Sequence, residues 1–384
     1  MNLNRALVVA TKEAQELVRD RFYIALAFLL PVVLMLVFGY GMTQEVRNIP
    51  FAIVDRDASL LSRDYAHRFI DSRYLDFRGY MTSTHDAEAI MLDGEVRAVI
   101  VIPERFHARI TSGLPVAVQT WLDGTFTYRL RTVDGYVQSI HHAASTDLQR
   151  RHLVRTAGLS TERAEALLEP LRIETRYLYN QELREIWSIA PALVMFILTL
   201  TSPLLMALSV VREKETGTIY NIHASTISRA EFLVGKLLPN ITVSFINGVV
   251  LVVIAVFYFD APLKGDAVFF LAAMLVFVVW TSGLGLLISI AVRTQIAAIM
   301  ITVILVMVLV MQFSGMLIPV SSMTGANYVI AHGIAPMYFN DIVTNTFLKG
   351  GGLMASWREF VALIGFAVSF LVLGYALFRK RSAT

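Results

Sequence analysis

Read between its charged residues, the chain offers six uncharged windows, at 22–42, 186–211, 237–259, 267–292, 294–340 and 360–378. A helix needs about 20 predominantly apolar residues to cross the hydrocarbon core of a bilayer, and every window reaches about that length. Charged residues are only 16% of the chain, against roughly 25% in soluble domains. The expected fold is an α-helical integral membrane protein with six transmembrane helices. The first window is longer than the apolar core of a secretory signal, about 7–15 residues, and no small-x-small cleavage site follows it. It is read as an uncleaved first span.

Basic residues orient the spans. Arg5, Lys12, Arg19 and Arg21 precede the first window; Arg212, Lys214, Arg229 and Lys236 lie around the gap between the second and third. Arg293 follows the fourth, and Arg379, Lys380 and Arg381 follow the sixth. The short loops at the opposite ends hold only Lys264, Lys349 and Arg358. Short cytoplasmic loops carry the excess of lysine and arginine, so both termini are expected inside, N-in and C-in.

Residues 1–21 place Leu3, Leu7, Ala10, Ala14, Leu17 and Val18 at helical spacing with charges opposite. Such a segment reads as a cytoplasmic amphipathic helix lying in the interface plane. Residues 22–42 are the first span. Residues 43–185 hold 38 of the 63 charged residues, and a loop of that length translocates largely regardless of charge. They are expected to form an extracytoplasmic, periplasmic α/β domain. Strand-like runs at 49–54, 74–80, 98–102 and 116–121 alternate with helical stretches at 60–70, 86–92 and 104–110, the pattern of a small α/β sheet. Helices are then expected over 125–155 and 161–185, the second broken at Pro170. This segment has eighteen arginines and no lysine.

Residues 186–384 supply spans two to six. The fifth window runs 47 residues, of which one span uses about half. Pro319, Gly325, Gly333 and Pro336 interrupt the rest, which reads as a re-entrant hairpin at 319–340, since broken backbone at membrane depth must be buried in protein or line a cavity.

Between spans two and three lies a polar connector, 212–236. It opens Arg212-Glu213-Lys214-Glu215-Thr216-Gly217-Thr218 and closes Arg229-Ala230-Glu231, then Gly235-Lys236-Leu237-Leu238-Pro239. A plain solvated loop obeying the positive-inside bias explains four basic residues there. It does not explain acids and bases interleaved with glycines at this spacing. The run resembles the signature of ABC-2 type transporter permeases. Ile53-Val54-Asp55-Arg56-Asp57, Val101-Ile102-Pro103-Glu104-Arg105-Phe106, Leu122-Asp123-Gly124 and Tyr179-Asn180 look like pieces of the subgroup with a large domain between the first two spans. Tyr220 departs from the pattern, where many relatives carry an acid.

The resemblance implies the membrane half of a multidrug or efflux-type exporter. Its partners would be a second permease copy, as homodimer or paralogous heterodimer, and an ABC ATP-binding subunit. A periplasmic membrane-fusion adaptor is a further candidate, and no nucleic acid is expected. ATP and Mg would be bound by the partner ATPase, with no cofactor in this chain. Coupling to the ATPase would fall to Arg212, Glu213, Lys214, Glu215, Gly217, Thr218, Arg229, Glu231, Gly235 and Lys236. The expected location is the bacterial inner membrane, multi-pass.

Other constellations are weaker. The sequence contains no P-loop: Gly235-Lys236 is followed by leucine, with Ala230 where the first glycine belongs. Without cysteine, neither disulfides nor thiolate metal sites can form. His141, His142 and His152 suggest surface residues before a metal site, and Asp55 with Asp57 suggests turn formation before acid–base work. No catalytic role is assigned. Gly283, Gly285 and Ser289 are candidates for a close helix seam between two copies. Span interiors free of charge favour an apolar or amphipathic, drug-like substrate over a proton-coupled carrier. The rival reading is a membrane receptor or sensory protein, of phage-receptor kind, that binds through the 43–185 segment without transport.

Overall fold

The computed structural model describes residues 3–42, 48–125, 127–168, 176, 178–182, 184–217 and 227–378. Thr218, Tyr220, Pro170 and the basic residues Arg379, Lys380 and Arg381 lie outside them. Two compact units are distinguished: Met1–Gln44 with Arg176–Thr384, and Glu45–Thr175.

The first unit is helical. An N-terminal helix α1 (Leu3–Arg19) precedes α2 (Arg21–Met42). After the second unit come α8 (Ile186–Glu215), α9 (Arg229–Tyr258), α10 (Ala267–Ala291), α11 (Gln295–Phe313) and, last, α14 (Leu353–Leu377). Together with α2 these make six helices long and apolar enough to cross a membrane, one in each uncharged window. Within the fifth window, α11 gives way to a 3-10 turn (Val320–Ser322) and two short helices, α12 (Ala326–His332) and α13 (Ala335–Thr344). Neither is long enough to span.

Helix α8 is the hub. Its apolar window is wholly buried within the chain, whereas only 17% of the corresponding window of α14 is. Lipid tails are as apolar as leucine, so close packing and interhelical hydrogen bonds, not water exclusion, must hold such a hub. Both are present. A Cβ on Gly285 of α10 would come within 2.8 Å of the Pro203 Cα and Met206 Cβ of α8. Nearby, Thr281 donates to the Ser202 hydroxyl at 2.9 Å. Gly283 faces Phe370 of α14. The small residues expected at a seam between copies are therefore used inside one chain. Helix α9 turns Asn240, Ser244 and Asn247 inward at helical spacing, all fully buried.

Ahead of α8, the described residues 178–182 and 184–185 are not helical, where the sequence pattern suggested continued helix. Tyr179 takes a positive φ of 71°, and the Asn180 side chain accepts from Arg184 N–H at 3.1 Å and donates to its carbonyl at 2.8 Å. Asparagine's short amide competes with helical hydrogen bonding in this way.

The second unit contains a four-stranded sheet of β1 (Ile49–Asp55), β2 (Leu75–Tyr80), β3 (Ala98–Ile102) and β4 (Gln119–Leu122), in the order β2-β1-β3-β4. β1 runs parallel to β2 and β3, and β4 antiparallel to β3. Its helices are α3 (Leu60–Ile70), α4 (Thr84–Leu92), α5 (Phe106–Thr111), α6 (Thr127–Ala157) and α7 (Thr161–Leu168). Alternation along the strands fills two cores. Ile49, Phe51 and Ile53 pack with Phe69 of α3, Phe106 of α5 and Val137 of α6, while Ala52 and Val54 pack with Ala87 of α4. Parallel strands covered on both faces read as the continuous apolar runs seen here.

The residues weighed for chemistry in this unit have structural partners. Asp55 accepts from Asp57 N–H at 3.1 Å, Ala58 N–H at 3.0 Å and the Ser62 hydroxyl at 2.7 Å, and Asp57 accepts from His107 N–H at 3.1 Å. His141 bridges Tyr65 and Thr120, while His142 is exposed and His152 lies beside Gly113.

Candidate functional site

The described parts of the connector form the C-terminal end of α8 and the N-terminal end of α9, and each has a local cause. Helix α8 stops at Gly217, whose φ of 73° is a left-handed turn that glycine adopts without steric cost. Helix α9 starts on a capping box: Ser228 accepts from Glu231 N–H at 3.3 Å, and the Glu231 carboxylate accepts from Ser228 N–H at 2.9 Å. Residues 218–226, the centre of the connector, lie outside the described residues.

Of the residues singled out in sequence, Glu213, Glu231, Gly235 and Lys236 are buried. Lys214 and Gly217 are half-buried, and Arg212, Glu215 and Arg229 are exposed. Gly235 is not a bend. It lies inside α9, where a Cβ would come within 2.6 Å of the Val9 Cβ, so its missing side chain lets α1 approach.

The buried charges meet at one point. Lys236 Nζ lies 2.6 Å from Glu13 of α1 and 3.0 Å from Glu213 of α8, and donates to the Ser209 carbonyl at 3.2 Å. Its side chain is 2% exposed. One lysine thus joins three helices, α1, α8 and α9. Removing the lysine from such a buried cluster costs about 3–5 kcal/mol, because two uncompensated carboxylates stay behind. Burial pushes the Glu13 carboxyl above its ordinary value, with Lys236 opposing that shift only in part.

Around this centre lies a second set of bonds. Asp20 caps α2 by accepting from Phe22 N–H at 2.9 Å and Tyr23 N–H at 3.2 Å, and it pairs with Arg212. Although burial pushes the other way, the Tyr23 N–H and Arg212 together hold the Asp20 carboxyl below its ordinary value. The Tyr23 hydroxyl donates to the Asn240 side chain at 2.6 Å, and Asn240 donates to the Lys236 carbonyl at 2.9 Å. Lys214 donates to the carbonyls of Ser289 and Val292 at the end of α10. Glu215 accepts from Gln295 N–H at 2.8 Å at the start of α11. A cation at a helix C-terminus and an anion at the next N-terminus both oppose the helix dipoles favourably.

The arrangement ties the described ends of the connector to α1, α2, α9, α10 and α11. Sequence reading missed Glu13, Asp20, Tyr23, Ser209 and Asn240. One signal was present: Ala6, Ala10, Glu13 and Leu17 share a face at helical spacing, and Glu13 is the one charge on it.

Comparison with known proteins gives a consistent picture. The family model described as "ABC-2 family transporter protein" matches residues 21–376. The chain is 26% identical over 382 residues to "Probable multidrug ABC transporter permease YbhS" of Escherichia coli K12, covering 99% of this chain and 98% of that protein. It is 24% identical over 380 residues to "Probable multidrug ABC transporter permease YbhR" of the same organism, covering 98% and 99%. Against "Inner membrane transport permease YhhJ", also from E. coli K12, it is 23% identical over 336 residues, 87% of this chain and 86% of that protein.

Proposed function

The chain belongs to the ABC-2 family of transporter proteins, and from that premise we propose that it is the permease subunit of an ATP-driven exporter in a bacterial inner membrane. The single observation that carries the coupling role is the three-helix tie at Lys236, which links both described ends of the connector to α1. ATP and Mg belong to a separate ATP-binding subunit in this reading, which the printed names of the E. coli relatives, permeases of ABC transporters, support. That subunit docks on the connector from the cytoplasm. Exposed Arg229 and residues 218–226 make the contact, while the buried charges pass the movement inward.

In this reading both termini are cytoplasmic and the 45–175 unit is extracytoplasmic, where it meets a membrane-fusion adaptor or gates release. Residues 319–340 form the re-entrant segment, and two permease copies assemble. The printed names of the E. coli relatives support a drug-like, amphipathic substrate. They lend no support to a receptor that binds without transport.

Co-expression of the chain with an ABC ATP-binding subunit from the same genome, followed by purification in mild detergent, tests the reading. The wild type is expected to retain the ATPase. Arg229→Glu reverses an exposed charge at the docking end and is expected to lower recovery about tenfold, the loss of one charge-assisted contact, with normal membrane insertion. Recovery of no ATPase with the wild type, or full recovery with Arg229→Glu, would overturn the assignment.

A further inference from the structure

The cavity beside the Lys236 cluster has a charge pattern that neither the fold nor ATPase coupling requires. It measures about 590 Å³ and is lined by α1, the start of α2 and the end of α8, with Lys236 and Gln295 contributing. Among its lining residues, buried Glu13 and Glu213 and exposed Glu16 bring carboxylate oxygens within 4.8 Å of one another. Two lysines oppose these three acids: Lys236, and Lys12 at 3.3 Å from Glu16. Counted as ionised groups, these leave one negative charge over.

Other lining residues are basic. Arg19 and Arg21 line the same cavity and are exposed, and among the described residues neither forms an ion pair. Arg212, the third arginine there, is engaged by Asp20. Leu17, Phe22, Leu26 and Leu208 also line it. The cavity sits where α2, a membrane-length helix, begins, which is headgroup depth.

We propose that this cavity binds the zwitterionic headgroup of an aminophospholipid, its ammonium at Glu13 and Glu16 and its phosphate at Arg19 and Arg21. A primary ammonium is the cation these carboxylates already accept, as the Lys236 contact shows. A purely anionic headgroup would meet the surplus negative charge, and a quaternary choline offers no N–H to donate. Phe22 and Leu26 continue along α2 as the surface for the acyl chains. The site requires only that the chain lies in a bilayer. It does not rest on the transport reading, and lipid binding and ATPase recovery fail separately.

Native mass spectrometry of the full chain, titrated with phosphatidylethanolamine, phosphatidylcholine or phosphatidylglycerol of matched acyl chains, tests it. Phosphatidylethanolamine is expected to bind about tenfold more tightly than the other two, the worth of one charge-assisted hydrogen bond. Glu13→Gln leaves a balanced Lys236–Glu213 pair and is expected to fold while losing that preference. Arg19→Gln with Arg21→Gln changes surface residues only; it is expected to weaken ethanolamine and choline lipids alike and keep their ratio. Equal binding of ethanolamine and choline lipids, an unchanged preference in Glu13→Gln, or unchanged affinity in the arginine double variant each overturns the site. Glycerophosphoethanolamine, the headgroup without chains, is expected to bind far more weakly; equal affinity for it would overturn the lipid in favour of a soluble zwitterion.

Discussion

In the membrane-length unit one lysine, Lys236, holds two carboxylates away from water, whereas in the 45–175 unit one carboxylate, Asp147, holds three arginines near the surface. Arg68 pairs with it, Arg150 lies at 2.5 Å and Arg151 at 2.9 Å. The carboxylates respond in opposite directions. Burial lifts Glu13 above its ordinary value despite Lys236. At Asp147 burial pushes the same way, but the hydrogen bonds from Arg68 and Arg150, with the charge of Arg151, overcome it and hold the carboxyl down. At Glu13 burial decides the sign, and at Asp147 the surrounding arginines do. Arginine suits the second arrangement because its planar fork presents five donors, while lysine's compact ammonium suits a point where three helices converge.

The largest test of this contrast is Lys236→Met. Without the ammonium, Glu13 and Glu213 face each other in a buried site, and a loss of about 3–5 kcal/mol is expected. Thermal unfolding in detergent should show it, with most of the loss restored by adding Glu13→Gln and Glu213→Gln. A stability close to wild type in the single variant would refute the claim that the cluster ties the helices.

A smaller effect is expected from Asp147→Asn. Its arginines are 26–56% exposed, so water can take over part of their solvation. The expected cost is about 1–2 kcal/mol, between exposed and buried pairs, localised to α3 and α6. Amide hydrogen exchange of the full chain checks both size and place; a loss as large as that of Lys236→Met would erase the distinction.

The smallest and most discriminating effect is the dependence on pH. Glu13 binds its proton more tightly folded than unfolded, so its contribution is complete below the ordinary carboxylate value and is lost as pH rises through the raised one. Asp147 is the reverse: its contribution is complete above the ordinary value and is lost as pH falls through the lowered one. Asp123 behaves likewise, because the Thr125 hydroxyl and N–H, with Arg97, lower it to about 2. Corrected for intrinsic exchange, acidification from neutral pH should increase amide protection in α1 and decrease it, if at all, in α6. Glu13→Gln should flatten the first response and Asp147→Asn the second.

Much of the fold was legible. Uncharged windows marked the six long helices because charge inside a bilayer is costly. Runs such as Ala98–Ile102 marked buried strands, because a sheet covered on both faces has no polar side to alternate with. Legibility failed where a residue's meaning depended on a distant neighbour. Nothing in the motif around Gly235 shows that α1 lies on it. Residues 161–185 looked helical because nothing in the pattern marks the bonds between Asn180 and Arg184. The connector's charges carry no local mark of burial, yet Glu213, Glu231 and Lys236 are buried.

By itself, then, the sequence determined that this chain has six membrane-length helices, an alternating β/α segment between the first two, and a polar connector between the second and third. Those features follow from local chemistry: the desolvation cost of charge, the two-residue repeat of strands, and the backbone freedom of glycine. Only the tertiary structure decided which charges are structural. Asp20 pairs with Arg212 from 192 residues away, and Glu13 reaches Lys236 across a similar separation. No local pattern encodes such pairs, because partners across helices are selected by packing, and packing exists only once the helices have come together.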